Sequence, residues 1–209
     1  MSTFSTTLAR HLPTTKGFKK LAAVVVFTSV VALAGCGGAT AVTGPFKVGS
    51  AYDVNLAKTW SSVSLFNLNR EVKYLTIDGP FLNNFYLTEG LAVGRSMVRT
   101  TSKSRPMPIV KRDMSETELA EFVVDTVASF GYDGVASKNL RPTKFGSADA
   151  VRFDLSAKTD AGLDIMGTAQ VALVGGKVHV MLFLAPGEYF YPTLLGEVDH
   201  IFGSATLRP

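Results

Sequence analysis

The sequence predicts an α+β protein in which a mainly antiparallel twisted sheet and two helices form an α/β/α sandwich-like arrangement, preceded by a cleaved signal peptide. Strand-length apolar segments bounded by turn-forming residues recur through residues 49–209. Two further segments repeat apolar residues at helical spacing. An uncharged apolar run at residues 21–34 follows a basic start. We therefore divide the 209 residues into a signal peptide at 1–35, a tether at 36–48 and one domain at 49–209.

The first 20 residues are basic, with Arg10, Lys16, Lys19 and Lys20 and no acidic residue. The uncharged run behind them is 14 residues long. A helix needs about 20 apolar residues to cross a bilayer core, whereas a signal peptide needs a hydrophobic region of about 7–15. The length of the run therefore favours a signal peptide.

This run ends in Leu33-Ala34-Gly35-Cys36, which resembles the lipobox of bacterial prolipoproteins: Leu, two small residues, then Cys. The resemblance implies that the thiol of Cys36 receives diacylglycerol and that cleavage falls between Gly35 and Cys36. Two or three acyl chains, at about 0.8 kcal/mol per buried methylene, make a durable membrane anchor. An organellar transit peptide and a retained membrane segment with an unmodified cysteine are the alternatives.

The residue after the cysteine bears on location. It is Gly37 and not Asp, and by the same resemblance Asp there signals retention in the inner membrane of Gram-negative bacteria. We therefore expect a location in the cell envelope, on the outer membrane facing the periplasm if the host is Gram-negative. Residues 37–45 are small and uncharged, which predicts a flexible tether at 36–48.

Charge and cysteine content exclude several classes of function. The chain has 21 basic and 17 acidic residues, but four of the basic ones precede Cys36, so 17 of each follow. Nucleic-acid-binding domains usually carry a basic surplus, so we expect no nucleic-acid partner. With one cysteine, neither an internal disulfide nor a Cys-based zinc site can form. We expect no cofactor and no metal.

Strands are predicted at residues 72–77, 84–93, 95–100, 135–140, 150–157, 164–174 and 177–185, with the second and third forming a hairpin or one bent strand. The later strands form a four-stranded meander. Thr159-Asp160-Ala161-Gly162 suits a loop, and Gly175-Gly176 suits a two-residue turn in which both residues need positive φ. The segment His179 to Leu184 is almost continuously apolar, which places its strand centrally.

Two helices are predicted. Ser115 and Glu118 form a capping box, and Leu119, Phe122, Val123, Val127 and Phe130 then share one helical face. Gly131 ends this helix. A second helix runs from about residue 192 to 201, with Pro192 in its first turn, and a short segment around residues 204–207 follows it.

The order of elements over residues 52–207 is similar to the α/β/α sandwich of the photosystem II oxygen-evolving extrinsic protein. A Ran-binding nuclear import factor and several bacterial lipoproteins share this fold. The resemblance implies the fold alone, because element order carries no functional residue.

Motifs for catalysis are few. Asp199, His200 and Ser204 carry triad residue types but lie on or after one helix, and no Gly-x-Ser-x-Gly elbow is present. We expect His179 to be a packed or edge histidine, and Asp160 and Asp164 to be solvated turn residues. No metalloprotease, phosphate-loop or dinucleotide motif occurs. We therefore expect no enzymatic activity, although carboxylates that folding brings together would escape this search.

One stretch is unevenly charged. Residues 90–112 contain no acidic residue and six basic ones, namely Arg95, Arg99, Lys103, Arg105, Lys111 and Arg112. The functional hypothesis is that Arg95, Arg99, Lys103 and Arg105 contact an anionic surface. The alternative is a solvated strand edge whose cations discourage aggregation. The aromatic run Tyr189-Phe190-Tyr191 is expected to pack in the core.

The leading expectation is a lipid-anchored envelope protein whose domain is a non-enzymatic module for interaction or assembly. Its partners would be the membrane, through the covalent lipid, and envelope proteins or an anionic polymer. A lipoprotein that binds a small molecule or an envelope polymer is the alternative, and an envelope hydrolase is the third. A flat surface, a deep pocket or a cleft with titratable groups would distinguish these three.

Overall fold

The computed structural model describes residues 38–99 and 106–208. Within these ranges nine strands and two helices form the predicted α+β fold. Their bounds are β1 Ala39–Val48, β2 Tyr52–Val63, β3 Val72–Thr76, β4 Asn84–Thr88, α1 Glu116–Ser129, β5 Asp133–Phe145, β6 Ala148–Lys158, β7 Asp164–Val174, β8 Lys177–Pro186, α2 Phe190–Gly203 and β9 Thr206–Leu207. None of the helices described is long and apolar enough to cross a membrane.

The strands form one antiparallel sheet in the order β1-β2-β3-β4-β8-β7-β6-β5, and β9 pairs with the start of β2. The predicted meander is confirmed as β5 to β8. Gly175 and Gly176 turn the chain between β7 and β8 with φ of 57° and 74°, as predicted. β8 lies between β4 and β7 and is buried from Val178 onward, which confirms its central position.

The two helices cover opposite faces of the sheet, and β8 shows this directly. Its Val180 and Leu182 share one hydrophobic cluster with α1, while Met181 and Phe183 share another with α2. Successive residues of a strand point to opposite faces, so a strand covered on both sides is apolar throughout. The α/β/α layering predicted from the sequence is therefore confirmed.

Helix α1 begins with the predicted capping box. The Ser115 hydroxyl accepts from the Glu118 amide (3.3 Å), and the Glu118 carboxylate accepts from the Ser115 amide (2.9 Å). Gly131 follows the helix with φ of 100°, as expected for the residue that ends it. Helix α2 begins two residues before the predicted start, with Pro192 in its first turn. Its buried Leu194, Val198 and Ile201 face the sheet.

The predicted flexible tether at 36–48 is wrong over residues 39–48, which form β1. No strand was predicted for residues 52–63 either, yet β2 pairs with β1 from Tyr52↔Val48 to Val63↔Ala39. The small residues of β1 suit an edge strand, most of which is exposed, and Pro45 is tolerated there. Composition alone therefore misidentified an edge strand as a linker.

The strands predicted at 84–93 and 95–100 are also wrong in extent. β4 ends at Thr88, and beyond it Leu91 and Val98 form only isolated bridges, with Val178 and Leu68. The chain turns at Gly90, whose φ of 98° is a conformation that favours glycine. The strand predicted at 135–140 extends instead over the whole of β5.

A bulge bends the β1–β2 hairpin. The pairing shifts between Val42↔Trp60 and Gly44↔Leu56, so three residues of β2 lie opposite Thr43 alone. The Lys58 amide donates instead to the carboxylate of Glu197 on α2 (2.9 Å), and the same oxygen accepts from the Trp60 indole N–H (3.2 Å). Glu197 is 93% buried, since its exposed fraction is 7%. This carboxylate fixes the bent hairpin to α2.

The first half of β2 then packs on the α2 side of the sheet. Tyr52 lies edge-on to Phe145 of β5, with ring centroids 4.8 Å apart, and Tyr52, Val54 and Leu56 share the cluster of α2. His179 of β8 lies against both rings. Within the described residues, neither its Nδ1 nor the Tyr52 hydroxyl has a hydrogen-bond partner. Burial, followed by the nearby Lys177, lowers the pKa of His179 to about 4.

Replacing Glu197 with Ala should lower the free energy of unfolding by about 3 kcal/mol, because the partly buried Lys58 amide and the buried Trp60 indole lose a charged acceptor. Urea unfolding followed by circular dichroism measures the change. Glu197→Gln is the matched control, since its amide oxygen can accept from both donors, and it should lose about 1 kcal/mol. Equal stability of the Ala variant and the unsubstituted chain would show that this carboxylate does not hold the hairpin.

Acid should destabilise the fold through His179. The folded pKa is about 4, against 6.5 for the free side chain. Between about pH 6.5 and about pH 4, the unfolded chain therefore binds a proton at His179 and the folded chain does not. The free energy of unfolding falls as the pH falls. From about pH 7.5 to about pH 5, the loss due to this residue should be about 2 kcal/mol. Urea unfolding at both values, with His179→Gln for comparison, isolates it; an identical pH dependence in the two proteins would contradict the assignment.

Candidate functional site

The start of β1 defines one end of the domain. Ala39 pairs with Val63, and Val63 pairs with Tyr74 of β3. The chain therefore enters the sheet beside the loop at residues 64–71, which follows β2. The predicted lipidation residue Cys36 and the cleavage residue Gly35 lie outside the described residues. Cys36 is three residues before Ala39, a reach of at most about 10 Å.

Hydrogen bonds join the 64–71 loop to residues 95–99. The Asn69 side-chain amide donates to the carbonyls of Ser96 (2.7 Å) and Val98 (2.9 Å). The Arg99 amide donates to the Asn67 carbonyl at 2.9 Å. Phe66 stands at the turn of this braced loop with 90% of its surface exposed. The phenyl ring is thus presented to the surroundings by a well-anchored backbone.

Three basic side chains line a shallow groove of about 250 Å³ beside this loop: Arg70, Lys73 and Arg99. We call it the basic groove. The Arg70 side chain is 85% exposed and lies 3.9 Å from Glu71, a weak pairing. Among the described residues, Lys73 and Arg99 have no acidic partner. The groove can therefore attract an anion.

The residues predicted to contact an anionic surface are divided by the structure. Arg99 lies in the basic groove. Arg95 donates to the Glu71 carboxylate at 2.6 Å, so its charge is largely offset. Burial acts to raise the pKa of Glu71, but bonds from its own backbone and from Arg95 outweigh it and hold that pKa below its usual value. Lys103 and Arg105 lie outside the described residues.

Sequence reasoning missed Arg70 and Lys73. They flank Glu71 in an apparently balanced run and precede the basic stretch at residues 90–112. Only the bonds between the 64–71 loop and residues 95–99 bring them beside Arg99. Within the sequence, the available signal is Asn69, a turn residue that can bond backbone on another segment.

A second concavity, of about 510 Å³, adjoins the first, because Leu65 lines both. Phe81, Tyr86, Phe130 and Tyr132 form its walls, and we call it the aromatic groove. The rings of Tyr86 and Phe130 stack with centroids 4.7 Å apart, and burial raises the pKa of Tyr86 well above 10. Phe81 is 89% exposed at the rim. This groove offers flat apolar walls to a ligand or a partner side chain.

The aromatic run before α2 does not form this groove. Tyr191 is buried, stacks on Phe183 and donates its hydroxyl to the Gly167 carbonyl (3.3 Å), which confirms the core-packing expectation. Tyr189 is 65% exposed, so the core-packing expectation is wrong for this residue. None of the three aromatic residues of this run lines the aromatic groove.

The side chains of two residues considered for hydrolysis, Asp199 and Ser204, bind other parts of the domain. Asp199 forms an ion pair with Arg152. The Ser204 hydroxyl accepts from the Asn55 amide (2.8 Å) and donates to the Ile201 carbonyl (2.8 Å). The Ser204 amide donates to the His200 carbonyl (3.0 Å) at the end of α2, but among the described residues no side-chain hydrogen bond joins Asp199, His200 and Ser204. Over residues 38–99 and 106–208, no three His, Cys, Asp or Glu side chains are grouped to hold a metal.

Comparison with known proteins identifies the fold. No protein-family model and no curated protein matches the chain. The solution structure of cyanobacterial PsbP (CyanoP) from Synechocystis superposes with a TM-score of 0.53 and 14% identity, covering 84% of this chain and 99% of that one. The crystal structure of LpqN, involved in cell envelope biogenesis of Mycobacterium tuberculosis, covers 85% of this chain and 88% of that one, with 11% identity and a TM-score of 0.36. The domain of this chain has a PsbP-like fold.

Proposed function

We propose that the chain is a lipoprotein of the bacterial cell envelope, anchored through Cys36, and that its domain is a non-enzymatic module for interaction or assembly. The start of β1 is the observation that carries this proposal. Ala39, the first residue of β1, comes only three positions after Cys36. At about 3.3–3.6 Å per residue, the domain cannot leave the membrane surface.

A short tether favours partners in the same membrane layer, because confinement raises their effective concentration. The aromatic groove supplies the surface, with Phe81 exposed at its rim and Tyr132 half-buried in its wall. Aromatic anchors contribute much of the binding energy in protein interfaces. Outer-membrane sorting, with the domain in the periplasm, follows from Gly37 if the host is Gram-negative.

A second candidate is a lipoprotein that binds a small molecule or an envelope polymer. The aromatic groove favours it too, since its volume lies within the range of ligand pockets. Tyr132 and Tyr86 line its walls, and Asp160 supplies a carboxylate at the edge. The identity of the captured species distinguishes the two candidates.

Cys36→Ser should abolish lipidation, because only the thiol can form the thioether. Intact-mass analysis of envelope fractions should find the unsubstituted chain cleaved before Cys36 and acylated, and the variant as full-length precursor. Gly38→Ala is the control: no atom lies within 4 Å of its added methyl group, so it should be processed normally. Normal processing of Cys36→Ser, or native protein with a free thiol, would refute the anchor.

A photo-crosslinker at Phe81 should capture a specific envelope component, because this side chain is 89% exposed at the groove rim. The same group at Leu140, which is 43% exposed on β5, is the control. Mass spectrometry of crosslinks made in intact envelopes should find a discrete protein at Phe81 alone. A glycan or small-molecule adduct would favour the second candidate, and identical products at both sites would exclude a specific groove partner.

A further inference from the structure

We infer that the end of the domain carrying Phe66 and the basic groove docks on an anionic phospholipid surface. This inference rests on the lipid anchor proposed above and adds how the domain lies on its membrane. It differs from the sequence hypothesis in its residues, because Arg70 and Lys73 take the place of Arg95.

The first argument is distance. The backbone from Cys36 to Ala39 spans at most about 10 Å, and neighbouring strands are about 5 Å apart. Val63, the partner of Ala39, lines the basic groove itself. The Debye length at physiological ionic strength is about 8 Å. A lipid on Cys36 therefore brings these cations to a distance where attraction to headgroups is only partly screened.

The second argument is charge. Lys73 and Arg99 lack an acidic partner among the described residues, and Arg70 has only the weak contact with Glu71. The Glu71 carboxylate is already bound by Arg95. Elsewhere in the described chain, several basic residues are paired with carboxylates: Arg141, Lys144, Arg152, Lys158 and Arg208. The basic groove thus keeps most of its positive charge, whereas these five residues are paired.

The third argument is Phe66. The Phe66 ring is 90% exposed on a braced loop, and the hydration of this apolar surface is unfavourable. At a membrane interface the same ring can enter the headgroup region, where aromatic side chains are enriched. Cations beside an exposed aromatic residue match the pattern of interfacial membrane contacts. A hydrated anionic polymer would satisfy the cations and leave the ring exposed, so the lipid surface fits better.

The test measures the accessibility of residue 66. Lipidation consumes the chain's one cysteine, so Phe66→Cys in the lipidated full-length product introduces a unique thiol. Its maleimide reaction should slow by about tenfold or more in vesicles containing phosphatidylglycerol, relative to detergent, because three cations each contribute about fivefold attraction. Leu140→Cys on β5, at the opposite edge of the sheet, is the control and should react equally in both.

Charge reversal tests the electrostatic part. Arg70→Glu, Lys73→Glu and Arg99→Glu, combined with Phe66→Cys, should lower the docked-to-undocked ratio by about a hundredfold and restore labelling. Lys138→Glu on exposed β5 is the matched control and should leave protection intact. Circular dichroism verifies that each variant is folded, and the neutral Arg70→Gln, Lys73→Gln, Arg99→Gln set gives the same comparison if reversal unfolds the chain.

Equal labelling of Phe66→Cys in anionic vesicles and detergent would overturn the docking inference, as would protection that survives charge reversal. Intact mass of the same preparations reports acylation of Cys36 independently. A lipidated protein with a fully reactive residue 66 would refute docking and retain the anchor. A protein without lipid would refute the anchor, whatever the labelling shows.

Discussion

The fold depends on one buried carboxylate. The bulge in β2 takes the Lys58 amide out of the ladder with β1, and this partly buried donor needs another acceptor. Glu197 accepts from this amide and from Trp60 through one oxygen. The bond lets the hairpin bend and keeps β2 against α2, so that Tyr52 reaches Phe145 and His179. The hairpin also carries the start of β1, and the Glu197 contact therefore positions the end of the domain nearest the proposed anchor.

Local signals predicted much of the layered fold. The capping box, the Gly175-Gly176 turn and the continuously apolar β8 each have a physical cause within a few residues, and the structure contains all three. β1 and β2 were not predicted, because their stability comes from pairing and from Glu197, which is 137 residues from Trp60 in sequence. Small residues in an exposed edge strand have the composition of a linker.

The candidate site was predictable only in part, for the same reason. The basic stretch was visible in sequence, yet the structure neutralises Arg95 with Glu71 and gathers Arg99 with Arg70 and Lys73. Such a rearrangement depends on which loop contacts which, and Asn69 makes that contact through two backbone carbonyls. The aromatic groove likewise draws Phe81, Tyr86, Phe130 and Tyr132 from separate segments, whereas the aromatic run before α2 contributes to the core.

The position of β1 also has a mechanical consequence. A lipid on Cys36 would apply any force from the bilayer at Ala39, the first residue of the ladder with β2. Force along the strand axis is shared by the hydrogen bonds of the whole ladder, whereas force away from the sheet opens them one at a time, beginning beside Val63. Of these two loads, an edge strand resists the one along its axis better, because many hydrogen bonds of the ladder must then break together.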